Sequence, residues 1–286
     1  MNKKISDLYD DYLHGLVDRR AFFKEVMLIA GGTLAAQFVL PLSGASDANA
    51  GLKSSDDSDL HTETVLYPGE TGDVRAYWAR PIGEEKLPGV IVIHENRGLN
   101  SHIKDVTRRM ASEGFLAIAP DALSPSGGTP DDPDEARSLL GELDSEKTVK
   151  NFVAAVKYLK THPLSTGKVG CTGFCWGGGV TNQVAVHAPD LVAAVPYYGR
   201  QPAVEDVPRI TASMLMHYAG NDERINRGIP AFEEGLKKAK IEYKMYVYEG
   251  ASHAFNNDTN PSRYHKEAAE LAWKRTVTFF REKLGS

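Results

Sequence analysis

The stretch Gly170-Cys-Thr-Gly-Phe-Cys-Trp-Gly-Gly-Gly179 holds the residues best suited to do chemistry. Lys168 to Cys171 reads as a short buried strand and Val180 to His187 as a helix, which puts Cys175 on a sharp strand-to-helix turn. Gly173-Phe-Cys175-Trp-Gly177 is a G-x-C-x-G form of the nucleophile elbow. The glycines have a physical reason: in so tight a turn a Cβ two residues either side of the nucleophile collides with backbone. The turn aims the thiol at a helix N-terminus, where free N–H groups favour a thiolate and a developing oxyanion. The bland alternative is a glycine-rich turn around a small buried hydrophobe, a common role for free cysteine.

A thiol nucleophile needs a base, and the base needs a group to orient it. In mainly parallel sheets such groups gather at the carboxyl ends of strands. Ala212–Tyr218 runs into Ala219-Gly-Asn-Asp222, and Glu242–Tyr248 runs into Glu249-Gly-Ala-Ser-His253. Nucleophile, acid, histidine is the chain order of the α/β-hydrolases. Asp222 would hold one ring nitrogen of His253 and leave the other facing Cys175. Upstream, His94-Glu-Asn-Arg-Gly-Leu99 follows a buried strand, where these enzymes draw one oxyanion N–H; the other belongs to the residue after the nucleophile. That assigns the backbone amides of Asn96 and Trp176. Glu95 then falls close to Cys175, where a carboxylate disfavours a free thiolate and accepts the thiol proton. Its bland reading is a salt bridge to Arg97 or Arg200. Cys171 is assigned to core packing. A redox pair with Cys175 is a weaker use of it, since C-x-x-x-C is a poor match to zinc or redox spacings.

The elements that must position these residues alternate from about residue 60. Thr62–Tyr67 and Val74–Arg80 form a leading antiparallel pair, and Gly89–His94 is a continuous apolar strand of the buried kind. A helix over Ile103–Ser112, a strand over Phe115–Ala119, a long loop from Ser124 to Pro133 and helices from Asp134 and over Lys147–His162 follow. Beyond the elbow come strands over Leu191–Tyr198, Ala212–Tyr218 and Glu242–Tyr248 and a closing helix from Glu267 to Leu284. The fold class expected is α/β, an α/β-hydrolase fold with a mainly parallel central sheet and helices on both faces, preceded by an N-terminal helical or signal segment.

Composition sets outer bounds. The chain has 286 residues, 42% hydrophobic and 25% charged, enough for one large domain plus an appendage. A net charge of -5 with no basic face argues against nucleic acid as a partner. Residues 1–50 stand apart. Asp18-Arg-Arg-Ala-Phe-Phe-Lys24 resembles a twin-arginine export motif, followed by a mildly apolar run from Val26 to Leu42 and Ala48-Asn-Ala50, a pattern suited to cleavage. Gly31-Gly32, Gln37 and Pro41 make that run a weak membrane span. The rival reading takes Ile5, Leu8, Tyr9, Tyr12, Leu13 and Leu16 as one face of a retained helical arm in a cytoplasmic protein. Residues 51–60 read as a polar linker and 61–286 as the domain. The expected location is periplasmic.

From about Thr62 onward the chain resembles the dienelactone hydrolase family. The resemblance is carried by His94-Glu95-Asn-Arg-Gly98, Ala119-Pro-Asp121, Gly167-Lys-Val-Gly170, Gly173-Phe-Cys175-Trp-Gly-Gly178, Asp222 and Gly250-Ala-Ser-His253-Ala-Phe255. It implies a carboxylic ester or lactone hydrolase with a Cys175–His253–Asp222 triad and no metal or organic cofactor. It also implies Glu95 as a gate, displaced by bound substrate so that His253 activates Cys175, with a thioester intermediate. The partner implied is a small ester or lactone, and the assembly a monomer or small homo-oligomer. One departure stands out: the family places a carboxylate-binding arginine four residues past the histidine, and here that position is Asn257. A second family arginine lies near Arg137. Arg97 and Arg200 are candidate substitutes, and Trp176, Tyr197 and Tyr198 candidate pocket aromatics. The alternative to an enzyme is a non-catalytic binding protein on the same scaffold, using the N-terminal arm for partner contacts.

Overall fold

A computed structural model describes residues 57–83 and 85–285, together with isolated positions 8, 17, 22, 24, 25 and 28. Packing divides the chain into two units, 1–50 and 51–286, and all elements below belong to the second. The export motif, the alternative helical arm and the first part of the linker lie outside the described residues. Among the described residues no helix is long and apolar enough to cross a membrane.

An eight-stranded sheet organises the domain. Its strands are β1 (Leu60–Gly69), β2 (Gly72–Pro81), β3 (Leu87–Ile93), β4 (Leu116–Pro120), β5 (Ser165–Phe174), β6 (Ala193–Tyr197), β7 (Ser213–Ala219) and β8 (Tyr243–Tyr248). The spatial order is β1-β2-β4-β3-β5-β6-β7-β8. The first two neighbour pairs are antiparallel and the other five parallel. From β3 the chain crosses to β4 on one side and later to β5 on the other. This reversal of winding opens a crevice at the carboxyl ends of the strands.

Strand periodicity splits the core between the two faces. Val90 and Val92 of β3 point to one side with Ile103, Met110, Phe115, Phe279 and Phe280, while Ile91 and Ile93 point to the other with Trp78, Phe152, Val184 and Leu236. Helices α1 (Ser101–Ser112) and α7 (Lys266–Leu284) therefore cover the first face. Helices α2 (Pro133–Glu142), α3 (Ser145–Thr161), α4 (Trp176–His187) and α6 (Ile229–Ala239) cover the second, and a single turn, α5 (Glu223–Asn226), follows β7. The caps are those the side chains dictate: Asn100, Asp132 and Asp144 each accept a first-turn N–H of α1, α2 and α3. Gly285 ends α7 at φ 74°.

Two readings need correction. The elbow helix begins at Trp176, not Val180, because close backbone approach requires Gly177 and Gly178 there and packing overrides their poor helix propensity. The helix α6 was not anticipated, although Pro230 in its first turn and Phe232 and Leu236 one turn apart mark it in sequence.

Candidate active site

Cys175 is the pivot between β5 and α4 and sits at φ 56°, ψ −114°, a conformation that costs a side-chain-bearing residue free energy and persists only where its surroundings impose it. Those surroundings are visible. Cys175 N donates to Tyr197 O at 3.1 Å, and Cys175 O accepts from Gly179 N at 3.1 Å. A Cβ on Gly173 would lie 2.3 Å from Gly177 O, and one on Gly177 would lie 2.3 Å from His94 O and 2.5 Å from Ile93 O. The glycines let the elbow press against the loop that follows β3. Trp176 opens α4, so its N–H is among those with no partner inside the helix.

Asp222 closes the turn after β7 and serves two partners. Its Oδ1 accepts from Ile225 N at 3.2 Å as the cap of α5, and its Oδ2 accepts from His253 Nδ1–H at 2.5 Å. The turn is stitched to the histidine loop by Gly220 N to Tyr248 O (2.8 Å) and Asn221 N to Ala251 O (3.0 Å). Left-handed Gly250 and Ala254 bend that loop tightly around His253. Phe255, fully buried against Tyr198 and Tyr248, anchors its far side.

With Nδ1 committed to Asp222, the remaining face of the His253 ring meets Cys175, which hydrogen-bonds to it. Burial alone would lower the basicity of this imidazole. The sulfur and the Asp222 carboxylate overcome that and push it up to about 10. The same bond works in the other direction on Asp222: burial opposes ionisation, but His253 holds the carboxyl below its ordinary range. Cys175, His253 and Asp222 are thus brought together, all buried. Cys171 faces the core, with its thiol 3.8 Å from Thr181 Oγ1 and pushed by burial up to about 12. Both cysteines are free.

The loop after β3 carries Glu95, Asn96 and Arg97. Residues that sequence reasoning did not single out hold it in place. Ala122 N donates to His94 Nε2 (3.2 Å), so Nδ1 carries the proton and donates to Glu95 O (2.7 Å). Burial lowers the basicity of His94, which favours this neutral form. Thr129 Oγ1 accepts from Leu99 N (2.8 Å) and donates to Asp121 Oδ1 (2.8 Å), whose other oxygen accepts Thr129 N (2.8 Å). The long loop after β4 thereby braces the one after β3. Nothing in the spacing of Ala119-Pro-Asp121 signals this role.

The remaining candidates separate. Glu95 does not pair with Arg97 or Arg200: its Oε2 accepts from Asn257 Nδ2 at 2.7 Å. Arg97 instead lies 4.0 Å from Asp134. Arg137 is half-buried on α2, and Arg200 is exposed. Trp176 stacks on His94 at 5.2 Å between ring centroids. Tyr197 belongs to the core, its hydroxyl 2.6 Å from Thr276 Oγ1. Tyr198, at φ 37°, packs 5.0 Å from the His253 ring. Burial first, then the neighbouring Glu95 and Cys175, raise its phenol well above the ordinary range. Among the described residues no group of histidine, cysteine and carboxylate side chains is arranged to hold a metal ion.

Comparison with known proteins agrees with this architecture. The model of the "Dienelactone hydrolase family" matches residues 74–284. A Saccharolobus solfataricus protein provisionally named carboxymethylenebutenolidase is 33% identical over 255 residues, covering 76% of this chain and 97% of the relative. An Escherichia coli K12 protein of the same provisional name is 34% identical over 232 residues, covering 75% and 84%. Among solved structures, one provisionally named dienelactone hydrolase from Klebsiella pneumoniae superposes with a TM-score of 0.69 at 29% identity, covering 77% of this chain and 98% of that one. The chain belongs to the dienelactone hydrolase family.

Proposed function

We propose that the chain, a carboxylic ester or lactone hydrolase by its family, works through Cys175 as nucleophile, His253 as general base and acid, and Asp222 as the group that orients His253. The observation that carries this reading is the buried His253 ring, bound at Nδ1 to Asp222 at 2.5 Å and meeting Cys175 on its other side. His253 takes the proton of the Cys175 thiol and so supplies the attacking thiolate. The thiolate adds to the ester carbonyl, and the new oxyanion falls to the amides of Trp176 and Asn96. Collapse expels the alkoxide, which takes the proton from His253 and leaves a thioester on Cys175. His253 then takes a proton from water as the water attacks the thioester, giving the carboxylic acid and returning the thiolate. Glu95, whose carboxylate is held by Asn257, is the gate. Acid-quenching the protein during turnover of a short aryl ester is expected to leave an acyl group on the peptide containing Cys175. Steady turnover with no adduct on that peptide, at any quench time, would overturn the thioester route.

We also infer twin-arginine export, supported by Asp18-Arg-Arg-Ala-Phe-Phe-Lys24 and the small residues Ala48-Asn-Ala50. Intact mass of the chain from fractionated cells is expected to show a periplasmic species starting near Gly51. A full-length cytoplasmic species would sink this inference.

A further inference from the structure

Asn257 lies four residues past His253, and its own neighbours orient its amide. The Oδ1 end accepts from Thr259 N (3.0 Å) and Thr259 Oγ1 (2.7 Å), so the Nδ2 end is the one given to Glu95 Oε2 at 2.7 Å. The next residue pins this loop to α1. Asp258, whose side chain is 2% exposed, accepts from Arg109 Nη2 at 2.7 Å and lies 3.3 Å from His102 Nδ1. The loop bearing His253 and the loop bearing Asn96 are therefore clasped through one amide–carboxylate hydrogen bond.

The chemistry of that clasp has a consequence for ligands. A carboxylate buried to 8% exposure is ordinarily matched by a cation. Here the donor is neutral, so it satisfies an oxygen without cancelling the charge. The guanidinium on the same loop, Arg97, is directed at Asp134. A second anion entering beside Glu95 meets like charge in a partly dry site, where repulsion is weakly screened.

We propose that Asn257 is a neutral latch on Glu95, and that this carboxylate, bound to an amide rather than a cation, makes the Cys175 site reject anionic ligands and take uncharged esters and lactones. The substrate class rests on the hydrolase reading above; the charge selection does not. Asn257 acts as a positioning residue, through Glu95.

Alkylation of Cys175 tests the charge selection without any ester. Iodoacetamide is neutral and iodoacetate anionic, and both form the same S–C bond with loss of iodide. Peptide mass would report labelling at Cys175, while the fully buried Cys171 reports unfolding. The quantity read is the iodoacetate rate divided by the iodoacetamide rate. Both Glu95→Gln, which removes the charge at constant shape, and Asn257→Arg, which neutralises it, are expected to raise this ratio about tenfold over the parent. A ratio within about twofold of the parent in both variants overturns the proposal. A rise in Glu95→Gln alone, with Asn257→Arg folded, overturns the latch and keeps the charge. Ester turnover with a flat ratio would sink the charge selection only; a shifted ratio with no ester turnover would sink the hydrolase reading only.

Discussion

Replacing Cys175 with alanine is expected to lower hydrolysis of short aryl esters and simple lactones by about 10⁴-fold or more, and His253→Ala by a similar factor. The two losses are not expected to add in the double variant, because nucleophile and base act as a unit and removing either removes the attack step. What remains should come from the oxyanion amides and binding alone. Cys175→Ala leaves no buried charge without its partner, whereas His253→Ala strips the buried Asp222 of its Oδ2 partner and is expected to destabilise the chain as well. Alanine keeps the backbone demand at φ 56° that cysteine already meets, and the elbow hydrogen bonds to Tyr197 O and from Gly179 N use main-chain atoms only. Thermal unfolding of Cys175→Ala should therefore remain cooperative and within a few degrees of the parent. Initial rates across a panel of esters, set beside that unfolding curve, check the prediction. Parental turnover from folded Cys175→Ala would rule out the cysteine as nucleophile.

The sequence exposed the placement of Cys175, Asp222 and His253 better than its supports, and the reason is physical. Cys175, Asp222 and His253 each follow a strand of the sheet, and parallel strands deliver their carboxyl ends to one edge. The glycines at 173 and 177 declare a close approach that the structure then exhibits. The bracing of the loop after β3 was not legible. Asp121 and Thr129 are ordinary turn residues by composition, and only the crossing from β3 to β4 brings Thr129 within 2.8 Å of Leu99 N. Asn257 shows the same limit from the other side. Its type suggested only the loss of a cation, whereas its partner, Glu95, is 162 residues away in sequence and is disclosed by the fold alone. The helix α6 was missed because its apolar stripe is short, with Phe232, Gly235 and Leu236 its buried residues.

The second large effect lies in the glycine that lets the elbow meet the loop after β3. Two opposing contributions decide the sign for Gly177→Ala. Alanine is the better residue inside a helix, by about 0.5–1 kcal/mol. Against this, its Cβ would sit 2.3 Å from His94 O and 2.5 Å from Ile93 O, both main-chain atoms that no rotamer change can move aside. Relieving the overlap means shifting the end of β3 or the first turn of α4, and overpacking of a tight core costs about 1–3 kcal/mol even where side chains can yield. The clash should win, with a net destabilisation of about 2 kcal/mol or more. The loss in rate should be larger still. The same shift separates the proposed oxyanion donors, Trp176 N and Asn96 N, and displacing such a donor costs about 10²–10³ in kcat. Gly141→Ala on α2 is the matched control, since nothing lies within 4 Å of its added Cβ. It is expected to stabilise the chain by about 0.5–1 kcal/mol and leave turnover unchanged. Denaturant unfolding at constant m-value and initial rates on one ester separate the two. If Gly177→Ala were as stable and as active as Gly141→Ala, the close packing of the elbow against His94 would not be what positions the nucleophile.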